Sequence, residues 1–109
     1  MKSYHLVIQP IVRSDVDEIA DHIAETSTEQ AFRFYDAFGR TLATVISWPG
    51  PLARPRLRPG HPTKGEVRRW NIEGFRNHTL IYDVRDDAVV ILRCVHGSRI
   101  TGEFFDTDT

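Results

Sequence analysis

The sequence predicts a two-layer α+β domain: an N-terminal strand, an antiparallel helix hairpin, then a three-stranded antiparallel meander. Three observations predict it. Strand formers open the chain and return in three runs after residue 66. Between them lie two segments with apolar residues at helical spacing. The length, 109 residues, leaves room for one core, since single domains commonly run about 100–150 residues. Residues 1–109 are therefore read as one domain, with a tail that frays after about residue 100.

Tyr4-His5-Leu6-Val7-Ile8-Gln9 is short, partly alternating and rich in strand formers, and Pro10 ends it. Ser14-Asp15-Val16-Asp17 then opens a helix, with Ser14 as cap and acids in the first turn, where the helix dipole favours them. Its apolar stripe is Val16, Ile19, Ala20, Ile23 and Ala24, opposite Asp17, Glu18, Asp21 and Glu25. Ser27-Thr28-Glu29-Gln30 is a capping box. The helix after it carries Ala31, Phe34, Tyr35, Phe38, Leu42, Val45 and Ile46 and ends near Ser47. Gly39 costs that helix about 1 kcal/mol relative to Ala, which a close helix crossing would explain. From Trp48 to Gly65, proline and glycine exclude helix and central strand alike, leaving a long loop of the kind that often carries function. Val67–Ile72 then alternates as a strand. Gly74 and Asn77 bracket a connection, His78–Val84 is the next strand, and Asp86-Asp87 turns it into Ala88–Val95. That last run is almost continuously apolar, as expected of a strand in mid-sheet. Two helical stripes need burial, and one face of the sheet is the surface available.

Composition sets the class. No apolar run approaches the roughly 20 residues that span a bilayer, and the N-terminus lacks the long apolar region and cleavage site of a signal peptide. A cytoplasmic protein with no membrane contact is expected. The single cysteine, Cys94, lies in an apolar run and reads as core filler. The net charge of −1 hides an asymmetry. Residues 1–49 hold four basic and seven acidic groups, residues 50–99 hold ten basic and five acidic, and the last ten residues add three acids. A basic second half suits an acidic partner. So neutral a chain is a poor free nucleic-acid binder, because such binding rests on neutralising phosphates. His5, His22, His61 and His78 show no convergent ligand spacing, and there is no Cys/His cluster, so neither a metal nor another cofactor is expected.

The order of elements, read with the residues, resembles the ParE branch of the RelE/ParE toxins over roughly residues 4–100. Val16-Asp17-Glu18-Ile19-Ala20-Asp21-His22-Ile23-Ala24 is similar to that family's first helix, and Ala31-Phe32-Arg33-Phe34-Tyr35 to the start of its second. Pro49-Gly50-Pro51 falls at its proline-rich turn. Glu66–Ile72 and Leu80-Ile81-Tyr82 are similar to its middle strands. The sharpest match is Val90–Arg99, which resembles the closing strand and its His-Gly-x-Arg ending. The resemblance implies a toxin held by a small antitoxin, through which the pair would touch operator DNA. It implies DNA gyrase as the target, and a poison rather than an enzyme. It directs target binding to Arg93, His96 and Arg99.

RelE relatives instead cut mRNA on the ribosome, and that alternative stays open. Metal-independent cleavage needs a base, an acid and cations for the phosphorane. The candidates are Arg58, Arg69, Tyr82, His96 and Arg99. Each also has a structural reading. Tyr82 shares a face with Leu80 and Val84, and His96 at a strand end commonly hydrogen-bonds. Arg68 alternates with Arg69, so one of the two turns inward and needs a partner. A third reading is an inactive homologue that only binds antitoxin. In all three, an antitoxin segment lies in a groove framed by Ala88–Val95 and the proline-rich loop, as a helix or an added strand. Its acids would meet Arg54, Arg56, Arg58 and Arg76.

Overall fold

Alternation, helical stripes and turn residues act on this chain in the order the sequence sets out, and the computed structural model describes the result for residues 4–48, 66–85 and 87–97. The elements are β1 (His5–Ile8), α1 (Pro10–Ala24), α2 (Thr28–Ser47), β2 (Glu66–Ile72), β3 (Phe75–Arg85) and β4 (Ala88–His96). The sheet order is β1-β4-β3-β2. β1 runs parallel to β4, and the other two pairings are antiparallel. The α+β expectation of a strand, a helix hairpin and a three-stranded meander holds. The proline-rich loop and the tail lie outside the described residues.

α1 starts one turn earlier than its acids suggest. Pro10 occupies its first turn, Gln9 is the extended cap residue, and no acid stands in the first turn. Proline is preorganised there, and its missing N–H is one the helix leaves unbonded anyway. The buried stripe is therefore Val12, Asp15, Val16 and Ala20, with Ile19 and Ile23 half-buried. Ala24 is exposed.

α2 is capped as its sequence says, with the Gln30 amide donating to Ser27 Oγ at 3.2 Å. Its buried face is Ala31, Phe34, Ala37, Thr41, Leu42 and Val45. Gly39 is exposed, and a methyl group added there would meet nothing within 4 Å. It does not mark a helix crossing.

The β2–β3 connection is tighter than Gly74 and Asn77 suggest. Ile72 pairs with Phe75, leaving only Glu73 and Gly74 in the turn. Gly74 has φ +79°, which glycine adopts without the usual steric cost. α2 holds this turn. Thr41 Oγ1 accepts the Glu73 amide at 3.0 Å and donates to the Ala37 carbonyl at 2.7 Å.

β4 lies between β1 and β3, which explains its apolar run. Leu80 and Tyr82 of β3, with Val89, Ile91 and Cys94 of β4, face the helices. Val67, Ile81 and Val95 pack with Leu92 on the other face. A bulge interrupts the β3–β4 ladder: Tyr82 pairs with Ile91 and Ile81 with Arg93, so Leu92 is the extra residue. A bulge shifts the phase of the strand beyond it, so that after Ile91 it is Cys94 that joins the core against the helices.

Candidate functional site

The residues that carry chemistry gather where α1 meets the second half of β4. β1 leaves the sheet after Ile8, and the Gln9 amide still donates to the Ile91 carbonyl at 3.1 Å. Beyond that point the edge of β4 would lack a partner, and an unbonded buried backbone amide is costly. Asp15 takes the vacated place. Its Oδ2 accepts the Cys94 amide at 3.0 Å and Arg93 Nε at 2.8 Å, and its Oδ1 accepts Arg93 Nη2 at 2.9 Å. Asp15 is 8% exposed, so a carboxylate on the core face of a helix is satisfied by a fork-like pair and a backbone donor. Sequence reading placed Arg93 at the target surface; the structure gives its guanidinium an intramolecular partner. The signal for Asp15 was present. It sits in phase with Val12, Val16 and Ile19, where an acid demands an explanation.

Cys94 is buried behind this junction. Burial, and then the Asp15 charge, push its thiol up to about 12, so it stays protonated and packs as an apolar group.

One step further along β4 the sheet ends in a histidine pair. His78 and His96 are directly opposed across β3 and β4. Their rings are 5.4 Å apart and nearly perpendicular. Phe34 also packs edge-on against His78. A groove of about 620 Å³ runs from this pair along α1, lined by Glu18, Asp21, His22 and Glu25 as well. Burial lowers the His78 pKa first, and His96 and His22 lower it further. His22 Nδ1 is 2.8 Å from Glu25.

Among the described residues, Tyr82 and Arg69 do not converge. Tyr82 is fully buried, and burial raises its hydroxyl to about 12 against the opposing pull of Arg68. Arg69 pairs with Ile81, so it lies on the opposite face of the sheet from Tyr82. Arg68 is the inward arginine, 9% exposed, and Arg69 is exposed. Arg76 is exposed near the start of β3. Arg54, Arg56, Arg58, Arg99 and His61 lie outside the described residues.

Over Ala88–Ile91 β4 offers no edge for strand addition, since β1 and β3 flank it there, and beyond that Asp15 already takes the Cys94 amide. The outer strands are β1 and β2. All of β1 is exposed, including Leu6, Val7 and Ile8, and Ile11 just beyond it is 47% exposed. An apolar hollow of about 410 Å³ opens beside it, lined by Ile8, Pro10, Val16 and Phe38 with Arg13, Asp17 and Tyr35. The Tyr35 hydroxyl donates to Asp17 at 2.6 Å across the two helices, and that bond, with burial behind it, raises the Tyr35 pKa.

Among the described residues no helix is long and apolar enough to cross a membrane. A family model, the ParE toxin of the type II toxin–antitoxin system parDE, matches residues 6–101. A solved structure described as the chromosomal ParDE TA system from P. aeruginosa is similar, with a TM-score of 0.65 and 18% identity, covering 86% of this chain and 96% of that one. That likeness speaks to the fold. No curated protein matches the chain.

Proposed function

Because the chain belongs to the ParE toxin family of type II toxin–antitoxin systems, we propose that it is the toxin of such a pair. A small antitoxin holds it silent, and once released it inhibits DNA gyrase and so replication. The family match over residues 6–101 carries this reading.

The burial of Tyr82 and the placement of Arg69 on the other face of the sheet favour gyrase over mRNA. A general acid must reach the leaving oxygen and ionise near working pH. Tyr82 does neither, being fully buried with its pKa pushed to about 12. Arg69 lies on the far face of the sheet from it, and Arg93 is committed to Asp15. His96 stays exposed at the end of β4, the stretch that target contact would use.

For the antitoxin, β1 is the strand that favours addition. It is an outer, exposed and apolar strand with one charged-capable side chain, His5, and such edges pair readily with an incoming segment. Operator DNA would then be reached through the antitoxin alone.

Pulse labelling in cells producing the chain tests the reading. Thymidine incorporation is expected to fall before amino-acid incorporation, and co-expressed antitoxin restores both. An earlier fall in amino-acid incorporation points to mRNA cleavage. No effect on either points to an inactive, antitoxin-binding homologue.

A further inference from the structure

We propose that His78 and His96 form a two-imidazole clamp for a borderline divalent transition ion such as Zn2+, at the mouth of the groove between α1 and the end of the sheet. The two residues are directly opposed on neighbouring strands. Such pairs have Cβ atoms about 4.5–5.5 Å apart, close enough for both rings to reach one ion. The ring separation fits. With zinc–nitrogen bonds of about 2.0–2.1 Å and tetrahedral geometry, two imidazole centroids on one ion stand about 5.2 Å apart. The observed centroids are 5.4 Å apart, with planes at 88°.

The surroundings suit a cation. His78 Nδ1 is buried and has no hydrogen-bond partner, a lone pair or proton left unanswered where polar atoms are normally satisfied. Glu18, Asp21 and Glu25 line the same groove and lower its potential. Among the described residues no three ligating side chains are already gathered into a cage. The clamp therefore supplies two ligands and water completes the shell, which makes binding reversible. The pair escaped sequence reading because 17 residues of hairpin separate His78 from His96.

The rival explanation is edge-to-face stacking of two rings with no ion between them. Titration of the full chain, without a histidine tag and stripped with chelator, separates the two. Calorimetry with Zn2+ is expected to show one ion per chain. The ring nitrogen resonances of His78 and His96 should shift, and those of His5 should not. His96→Ala, at an exposed position, is expected to weaken binding by on the order of tenfold or more with an unchanged circular dichroism spectrum. His5→Ala should leave it intact. Absence of saturable binding up to millimolar Zn2+, or binding that survives His96→Ala, would overturn the clamp.

Discussion

At position 15 a carboxylate stands where helical spacing calls for an apolar side chain, and the fold depends on it. Asp15 holds Arg93 by two hydrogen bonds and the Cys94 amide by a third. Breaking a buried ion pair from one side leaves the other charge uncompensated, at about 3–5 kcal/mol. The Arg93 side chain is 24% exposed, so water recovers part of that loss. Asp15→Ala should therefore cost about 2–4 kcal/mol in urea unfolding, and Asp15→Asn less, because an amide oxygen can still accept the Cys94 amide. His78 sets a pH dependence. Its folded pKa lies below the ordinary value of 6.5, so the unfolded chain takes up the proton first as pH falls. Stability from this group is complete above pH about 6.5 and is lost as pH drops from there to the folded pKa. His78→Gln should flatten that portion of the stability curve between pH 7 and 5; an unchanged slope would remove His78 as its source. The sequence signalled Asp15 by its phase in the helix. It carried no signal for its partner, because a contact spanning 78 residues depends on where β1 ends and α1 begins.

The helices and strands were the most legible features, since their periodicities are local. The Ser27 cap, the end of α2 and the mid-sheet place of β4 all follow from residues within one turn or one strand. Boundaries were less legible where two signals competed. The acids after Ser14 look like a first turn, but Pro10 fixes the start earlier. Asn77 looks like a turn residue, but Gly74 alone satisfies the turn, and the strand resumes at Phe75. Gly39 teaches the same point in reverse. A glycine inside a helix invites a packing explanation, yet this one faces open space. Gly39→Ala should therefore stabilise the protein by about 1 kcal/mol, read as a raised urea midpoint with unchanged slope. A neutral or destabilising result would mean that another surface needs the missing Cβ.

For the molecule as a whole, the sheet order decides which surfaces can take a partner. It was not legible beforehand, because nothing local says that β1 returns to lie beside β4. That placement pairs Ala88–Ile91 of β4 on both sides and leaves β1 outside, moving the expected antitoxin contact from the last strand to the first. Val7→Glu, at an exposed position, should weaken antitoxin binding by roughly tenfold or more while leaving the fold intact, in line with the cost of a charge in an apolar interface. Full affinity in that variant would move the interface elsewhere. The basic half of the chain should make the same association salt-dependent, mainly through its on-rate. Function itself is the least local property, and the proposed reading turns on whether the target is a topoisomerase or an RNA. Purified chain added to DNA gyrase with ATP and plasmid tests this most directly. The account predicts loss of supercoiling and accumulation of linear DNA, both reversed by the antitoxin. Unaffected gyrase, together with cuts in ribosome-bound mRNA that disappear in His96→Ala, would contradict it.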